Sequence, residues 1–429
     1  MKFIIKNGTI VNPVKKQHEV GDVVFENGKI ISVGGTADVL DAEMYDATGC
    51  FVTPGLIDMH VHLREPGQTN KEDIHTGTQA AAAGGITHVA TMANTTPVID
   101  SATILQSIQK KIMDTAVVKV SVIGAISKGL QGQQLSGMGG LAGAGVVAFS
   151  DDGHYVESAD FMRRAMEYSD MLGKMIIDHA EDMTMCQQGF MNEGTMSYQM
   201  GVTGRPAAGE ALAVARDIIL SDLTGCHLHV AHVSSGKAVE LIREAKKKGS
   251  RVTTEVTAQH LFFTDEYLKE YDTRFKMAPP IRTEADRQAL IEGVLDGTID
   301  AIVTDHAPHT NDEKDVPFCC APNGIAGLET SLASVLTGLY HTGKLSIDRI
   351  VELMSVNPAR LIEVEGGVLE EGMAADITVI NPSVEWDVYG ADLYTKTLFT
   401  PFEGMKLKGK AVLTVVDGNI VMKEGKVLR

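Results

Sequence analysis

Both ends of the chain show short apolar runs next to turn-forming dipeptides. The runs are Phe3–Ile5, Asp22–Phe25, Asp376–Ile380 and Ala411–Val416. Asn7-Gly8, Asn27-Gly28 and Asp417-Gly418 follow three of them, and such dipeptides favour tight hairpins between antiparallel strands. The pattern predicts one small β domain that is built from both termini.

The middle of the chain alternates instead between short apolar strands and stretches of helical periodicity. The predicted strands are Leu56–Val61, Thr87–Met92, Val117–Ile123, Val146–Phe149, Met175–Ile177, Leu228–Val233, Val252–Val256 and Ala301–Val303. Helical segments include Glu72–Ala83, Ala159–Leu172, Gly209–Leu220, Lys237–Lys248 and Thr283–Leu295. Strand–helix alternation indicates a parallel sheet whose outer face is covered by helices.

Eight such units close into a barrel, which gives the predicted fold class: α/β, with a TIM-type (β/α)8 barrel. We place the barrel at residues 55–365 and a small β-sandwich domain at residues 1–54 and 366–429. A doubly wound open sheet is the alternative, but no G-x-G-x-x-G follows a strand to support it.

Charge and composition exclude several classes of function. The formal net charge is -18 and there is no Lys/Arg-rich block, so a nucleic acid would be repelled. No apolar run approaches the roughly 20 residues of a membrane helix, and the N-terminus lacks signal-peptide features. The five cysteines form no C-x-x-C pair, which is typical of a reducing compartment. We therefore expect a cytoplasmic protein with neither a nucleic-acid nor a membrane partner.

Potential metal ligands recur where the predicted strands end. They are His60 and His62 on strand 1, Asp151 and Asp152 after strand 4, His179 after strand 5, His232 on strand 6 and Asp305 after strand 8, with His309 just beyond. Active sites of such barrels lie at this end of the strands. A lone H-x-H is a weak signal, but agreement among five strand ends makes a metal centre the stronger interpretation.

The number of ligands indicates two ions rather than one. His60 and His62 are alternate residues of a strand and point to the same side, so both can bind one ion. Six protein ligands exceed the three plus water that a catalytic zinc takes, whereas two ions can share a bridging carboxylate. Alternation alone leaves both Asp151 and Asp152 open as the bridge.

Three residues at the predicted mouth each have two interpretations. Arg64 could form an ordinary salt bridge, or it could bind a carboxylate through its two-pronged guanidinium. Asn94 could hold a polar substrate or only shape its turn. Asp305 could be a metal ligand alone, or it could also move a proton to a leaving nitrogen.

Taken together, the motifs resemble those of class I dihydroorotases in the amidohydrolase superfamily. The segment Pro54–Gly67 reads PGLIDMHVHLREPG, and Thr304–His309 reads TDHAPH. Supporting matches are Phe149–Gly153 (FSDDG), Ala231–Ser234 (AHVS) and Asn357–Ala359 (NPA). The resemblance spans nearly the whole chain, including the split β domain.

This resemblance implies reversible cyclisation of N-carbamoyl-L-aspartate to (S)-dihydroorotate in pyrimidine (UMP) biosynthesis, with two Zn²⁺ ions per subunit. The implied ligands are His60, His62 and Asp305 for the first ion, His179 and His232 for the second, and Asp152 as the bridge. Asp305 would also act as catalytic base and acid. The implied substrate contacts are His62, Arg64, Asn94, His309, Asn323 and Gly324.

The sequence departs from the family pattern at three positions around the expected pocket. Ala278 stands where many relatives carry a substrate-binding Asn, Asn323 where many carry Phe, and Ala93 where Pro usually precedes the Asn. We therefore assign no substrate contact to Ala278, whereas Asn323 and Gly324 can still contact the ring through backbone groups. The metal ligands are intact.

Two other functions stay open. Ala278 is compatible with another cyclic amidase, such as a hydantoinase or allantoinase, although Arg64 and the absence of a bridging lysine argue against it. A catalytically silent scaffold for a transcarbamoylase would have lost metal ligands, and all six are present. The expected partner is a small-molecule substrate, and the sequence leaves open both a homodimer and a complex with a transcarbamoylase.

Overall fold

The computed structural model describes residues 2–37, 42–186 and 188–428. Its strands form three groups in chain order. The N-terminal strands are β1 (Lys2–Asn12), β2 (Gln17–Glu26), β3 (Lys29–Val33), β4 (Glu43–Asp46) and β5 (Phe51–Pro54). The central strands are β6 (Leu56–Val61), β7 (Ile86–Thr91), β8 (Lys119–Val122), β9 (Ala148–Phe149), β10 (Met175–Asp178), β11 (Met191–Asn192), β12 (Gly204–Arg205), β13 (Leu228–Val230), β14 (Val252–Thr257) and β15 (Ala301–Val303). The C-terminal strands are β16 (Ile377–Asp387), β17 (Lys406–Val416), β18 (Asn419–Lys423) and β19 (Lys426–Val427).

Eight of the central strands form a closed parallel barrel. β6, β7 and β8 pair in order, as do β9, β10, β13, β14 and β15. The gap between β8 and β9 is closed by a hydrogen bond from the Val147 N–H to the Val122 carbonyl at 3.1 Å. The gap between β15 and β6 is closed by a hydrogen bond from the His62 N–H to the His306 carbonyl at 2.8 Å. The predicted TIM-type barrel is confirmed, and the eight predicted strands differ from the observed ones by at most three residues at either end.

Helices lie between the strands and cover the outside of the barrel. They are α1 (Ile74–Ala83), α2 (Ala102–Thr115), α3 (Met138–Gly143), α4 (Ala159–Met171), α5 (Met183–Cys186), α6 (Thr195–Met200), α7 (Ala207–Thr224), α8 (Gly236–Lys248), α9 (Ala258–Phe262), α10 (Glu284–Asp296), α11 (Asn311–Lys314), α12 (Ser331–Val335), α13 (Ile347–Val351) and α14 (Asn357–Leu361). π-Helical turns at Leu336–Tyr340 and Glu352–Val356 extend α12 and α13, and 3₁₀ turns occur at Pro13–Lys15, Lys128–Leu130, Asp265–Leu268, Thr273–Phe275 and Gly390–Asp392. No helix in the described part of the chain is both long and apolar enough to cross a membrane.

Local sequence explains where a typical barrel helix starts and stops. Before α8, the Ser235 side chain accepts a hydrogen bond from the Ala238 N–H, which satisfies one free donor of the first turn. Three lysines lie in the last turn, where positive charge is favourable. Gly249 then takes a left-handed conformation and ends the helix.

The strands from both termini join in a second sheet with its own apolar core. Its order is β19-β18-β17-β16-β5-β1-β2-β3, and β4 pairs with β1. The chain before β16 also pairs with β3, since the Ile30 N–H donates to the Met373 carbonyl at 3.0 Å. The sheet thus curls around its core as a sandwich. The exact division of the chain near residues 54 and 366 stays a prediction.

Two of the three predicted turn dipeptides form hairpins and one does not. Asn27-Gly28 and Asp417-Gly418 connect adjacent antiparallel strands with positive φ at both residues, as a type I′ turn requires. The hairpin predicted at Asn7-Gly8 is wrong, because these residues form a bulge inside β1. β1 pairs with β2 on both sides of this bulge, so the extra residue is absorbed without ending the strand.

We predict that Gly418→Ala destabilises the protein by about 2–4 kcal/mol, through backbone strain plus overpacking. Gly418 has a φ of +71°, and a Cβ atom there would lie 2.7 Å from the Gly28 Cα atom. Gly425→Ala is the matched control, since its φ is +78° but its nearest neighbour is a flexible lysine end at 3.8 Å. Urea unfolding of both variants should give a larger loss for Gly418→Ala, and equal losses would contradict the proposed packing of the two turns.

Candidate metal centre and substrate pocket

The two histidines at the end of β6 reach the barrel mouth because a bulge near them changes which side chains of the strand point inward. Ile57 and Met59 pack in the apolar cluster that fills the barrel, whereas Val61 belongs to the layer beneath the helices. The pairing with β7 shifts register between Asp58 and Val61, which is the mark of a bulge. His60 and His62 therefore face the same side, as expected, but simple alternation from Ile57 would have turned them outward.

The Asp152 carboxylate lies at the centre of four histidines from three different strand ends. Its Oδ1 atom lies 3.4 Å from His60 Nε2, 3.5 Å from His179 Nδ1 and 3.5 Å from His232 Nε2. Its Oδ2 atom lies 3.4 Å from His62 Nε2. All five side chains are buried, so ligand-type atoms from β6, β9, β10 and β13 converge on one small volume.

These separations fit metal coordination better than direct hydrogen bonding. Hydrogen bonds between nitrogen and oxygen are normally 2.7–3.2 Å long, whereas two ligands of one tetrahedral zinc ion lie about 3.4 Å apart. Three of the facing atoms are buried without a hydrogen-bond partner among the described residues, namely His60 Nε2, Asp152 Oδ1 and His179 Nδ1. Unpaired polar atoms of this kind are costly when buried, and a cation between them would satisfy all three.

Two carboxylates fix the orientation of the histidine rings from behind. Glu255 Oε1 lies 2.5 Å from His60 Nδ1, and Glu181 Oε2 lies 3.2 Å from His179 Nε2. Each carboxylate accepts a hydrogen bond from the ring nitrogen that faces it, so the opposite nitrogen faces the centre and can offer its lone pair to a metal ion in place of a proton. This carboxylate–histidine arrangement is typical of metal sites.

The Asn94 side chain orients the ring of His62 in the same way. Its Oδ1 atom lies 2.8 Å from His62 Nδ1, and its Nδ2 donates to the Asp152 backbone carbonyl at 3.2 Å. The structure thus links Asn94 to the ligand-type side chains as well as to the pocket. One N–H of its amide remains for a further acceptor.

The charges of the cluster hold one another in their ionised forms. Burial alone would lower the pKa of His60, but the Asp152 and Glu255 carboxylates raise it well above its usual value. Burial likewise disfavours the Asp152 carboxylate, yet His60 and the other histidines hold its pKa well below the usual range. Burial would lower the pKa of His179, but the nearby Asp152 and Glu181 carboxylates raise it to about 10. The centre therefore strongly favours positive charge.

Among the described residues, two groups of donor atoms are compact enough to hold a metal ion. One consists of His60, Asp152 and His232, and the other of His60, His62 and Asp305. His179 falls outside both groups but approaches Asp152, as given above. Hence the structure brings together all six residues that the sequence predicted as ligands.

The two candidate bridging aspartates point in different directions. Asp151 Oδ1 accepts hydrogen bonds from the backbone N–H groups of Ile126 and Ser127 at 2.8 and 3.0 Å, and its other oxygen meets the Ser127 hydroxyl. These contacts anchor the end of β9. Asp152 alone of the pair reaches the histidines, so the geometry separates two residues that sequence alternation could not.

Three residues of the site hold left-handed backbone conformations. Arg64 has a φ of 58°, His232 of 31° and Asp305 of 46°. Such values are uncommon outside glycine and cost energy, which the surrounding packing must offset. They turn each side chain into the mouth just beyond its strand.

A cavity of about 280 Å³ opens beside the metal cluster. Its walls include all six predicted substrate contacts together with several ligand-type residues. They are His62, Arg64, Asn94, Asp152, Gly153, His179, Met183, Arg205, His232, Ala278, Asp305, Ala307, His309, Asn323 and Gly324. His60 is fully buried beneath it.

Arg64 is a buried cation without an acidic partner. Its Nε donates to the Pro308 carbonyl at 3.1 Å, and its Nη2 lies 3.4 Å from His309 Nε2. His309 Nε2 in turn donates to the Asn323 carbonyl at 2.9 Å. No carboxylate in the described residues forms an ion pair with Arg64, which argues against the salt-bridge interpretation.

Sequence reasoning missed three charged residues of the site. Glu255 was detectable, because a glutamate inside the buried, β-branched strand β14 needs a partner. Glu181 follows His179 by two residues but carries no motif. Arg205 lines the pocket and donates to Glu181 Oε2 at 2.8 Å, and its short strand β12 lies outside the barrel, where no rule predicts function.

Comparison with solved structures supports the architecture. L-Hydantoinase (dihydropyrimidinase) from Arthrobacter aurescens has a TM-score of 0.90 and 28% identity, covering 100% of this chain and 97% of that chain. Dihydropyrimidinase from Brevibacillus agri NCHU1002 has a TM-score of 0.86 at 24% identity, covering 100% and 96%. The second likeness concerns the fold alone.

Comparison with known sequences identifies the family of this chain. A family model described as Dihydro-orotase-like matches residues 49–238. Curated relatives named dihydroorotase include one from Pelotomaculum thermopropionicum, 48% identical over 99% of both chains. Another from Geobacter sp. (strain M21) is 46% identical over 99% of this chain and 100% of its own. With such identity along nearly its entire length, the chain belongs to the dihydroorotase family.

Proposed function

We propose that the protein catalyses the reversible hydrolysis of (S)-dihydroorotate to N-carbamoyl-L-aspartate, a step of pyrimidine biosynthesis, with two zinc ions. The observation that carries the proposal is the Arg64 guanidinium, which forms no ion pair among the described residues, beside a cluster of metal-ligand atoms in one cavity. Dihydroorotate combines the two groups that such a cavity requires: a carboxylate and a cyclic amide. The relatives named dihydroorotase support the same substrate.

We assign His60, His62 and Asp305 to the first zinc ion, His179 and His232 to the second, and Asp152 to the bridge between them. The central position of Asp152 and the unpaired atoms around it support this assignment. When bound, the ions would supply Lewis acidity, polarising the ring carbonyl and lowering the pKa of a water ligand.

Asp305 is the proposed base and acid of the reaction. It lines the cavity, and its Oδ1 atom lies 3.0 Å from His62 Nε2. Burial disfavours its charge, but the contact with His62 and the other nearby histidines lower its pKa. The ionised carboxylate can accept a proton from the attacking water in ring opening and pass it to the departing amide nitrogen.

The other side of the cavity would bind and orient the substrate. The two-pronged guanidinium of Arg64 matches a carboxylate, and the free N–H of Asn94 lies on the same wall. His309 contacts both Arg64 and the Asn323 backbone, which supports a role for it between the substrate carboxylate and the ring. Assembly with a second copy or a transcarbamoylase, and a cytoplasmic location, stay predictions.

The first test is turnover of dihydroorotate by the zinc-loaded protein beside hydantoin and allantoin, with Asp305→Ala as control. We expect dihydroorotate alone to be opened, and the variant to lose about 10²–10⁴-fold in kcat, as removal of a general acid–base does.

The outcomes separate the candidate functions. Opening of hydantoin or allantoin alone would reject the substrate and retain the cyclic amidase class. A zinc-bound protein that opens none of the three rings would favour the scaffold function.

A second prediction concerns Arg64→Lys, which keeps the charge but removes the two-pronged donor. We expect kcat/KM for dihydroorotate to fall about 10–100-fold, chiefly through KM, as for the loss of a charge-assisted hydrogen bond. Steady-state kinetics at matched zinc content measure the effect. An unchanged KM would mean that Arg64 does not hold the substrate carboxylate.

A third prediction concerns Glu255→Gln. Loss of the carboxylate behind His60 should weaken zinc binding about 10–100-fold, because such partners orient and strengthen the ligand. Competition with a chromophoric chelator measures zinc affinity directly, without an activity assay. Glu240→Gln, on the exposed face of α8, is the control and should bind zinc as the unmodified protein does.

A further inference from the structure

The wall of the cavity opposite the metal cluster is built from two segments of the chain. One runs from Lys276 to Pro280 after β14, and the other from His309 to Gly324 after β15. Together they supply Ala278, His309, Asn323 and Gly324 to the cavity. The segments touch directly, since the Gly324 N–H donates to the Lys276 carbonyl at 3.0 Å.

Lys314 fastens these segments together from behind the wall. It is the last residue of α11 and is only 3% exposed. Its ammonium lies 2.9 Å from the Gly324 carbonyl, 3.2 Å from that of Pro322 and 3.3 Å from that of Lys276. A lysine has three N–H donors, so all three are used on backbone groups of the two segments.

The position of this ammonium is unfavourable by itself. No acidic side chain in the described residues lies within ion-pair distance of Lys314. Burial, reinforced by the Lys276 charge, lowers the pKa of Lys314 to about 7. A buried cation without an acidic partner is costly, so its three hydrogen bonds to backbone carbonyls must offset that cost.

The wall that Lys314 holds has little tolerance for movement. A Cβ atom on Gly324 would lie 2.3 Å from the Ala307 carbonyl and 2.9 Å from the His309 ring. His309 is itself tied to the Asn323 carbonyl at 2.9 Å. A shift of residues 322–324 would therefore move His309 and the backbone groups that face the cavity.

We propose that Lys314 is a positioning residue: its ammonium clamps residues 322–324 to Lys276 and so fixes the part of the substrate-binding wall that these segments form. The identity of the ligand rests on the proposed function, whereas the clamp itself does not. Lys314 does not line the cavity and acts only through the residues that do.

The test compares Lys314→Met, Lys314→Arg and a control, Lys29→Met. Lys29 also donates to a backbone carbonyl, that of Gly372 at 3.0 Å, but on the exposed surface of the β domain. We expect Lys314→Met to raise KM for dihydroorotate about tenfold or more, as for loss of a charged hydrogen bond. The value of kcat should change less than about threefold, because the reacting groups stay in place.

Lys314→Arg should have a KM close to that of the unmodified protein, because arginine restores a cation and several hydrogen-bond donors. Zinc content should be equal in all variants. Amide hydrogen exchange should become faster in Lys314→Met within residues 315–324 and 273–280, and should be unchanged around His60. Lys29→Met should match the unmodified protein in every measurement.

Unchanged KM and unchanged exchange in Lys314→Met would overturn the proposal. Faster exchange throughout the barrel, with loss of zinc in both Lys314 variants, would also overturn it, because it would indicate a merely structural role. If the unmodified protein does not open dihydroorotate, the proposed function fails, and the exchange measurement still decides whether the clamp exists.

Discussion

A single buried carboxylate, that of Asp152, determines how the mouth of the barrel is arranged. One ring nitrogen from each of four histidines lies 3.4–3.5 Å from its oxygens. The histidines follow three different strands and Asp152 follows a fourth, so the separations hold only if the barrel is closed in one register. Burying a carboxylate among ring nitrogens is unfavourable unless positive charge accompanies it. The fold therefore creates a strong preference for cations at this point.

The mouth is electrically divided. On the metal side, the carboxylates of Asp152, Asp305, Glu181 and Glu255 surround the histidines. In the same cavity lies the Arg64 guanidinium, which forms no ion pair with a carboxylate of the described residues. An anionic substrate that reacts at a metal centre needs this arrangement, because one end must be attracted while the reacting amide is held beside the ions.

The β domain contributes to the site by fixing where the first barrel strand begins. β5 pairs with β16, and the Gly55 N–H donates to the Asp376 carbonyl at 2.9 Å immediately before β6 starts. Gly55 also packs so closely on Thr87 that a Cβ atom would lie 2.1 Å from its hydroxyl oxygen. These contacts set the register of β6, and His60 and His62 lie at its far end. Both termini are thus linked to the position of the first two ligand-type side chains.

The sequence by itself determined the eight barrel strands, the paired ends and five of the six ligand-type residues, with Asp151 and Asp152 both open as the sixth. These features are local: a strand needs only its apolar run, and strand ends meet wherever a parallel barrel closes. Resemblance to a family added roles for Arg64 and His309 that spacing alone left open.

Tertiary structure decided what depends on distant contacts. The bulge at Asn7-Gly8 arises because β2 offers pairing on both sides of that dipeptide. Contacts with remote residues or local backbone geometry also decided three features of the site. They are the bulge before His60, the choice of Asp152 over Asp151, and the orientation of the histidine rings by Glu255 and Glu181. The same holds for Lys314, which reads as one more charge on a short helix until three backbone carbonyls converge on its ammonium. Periodicity reports which side of a strand or helix is buried, but it contains no information about which distant atoms will meet there.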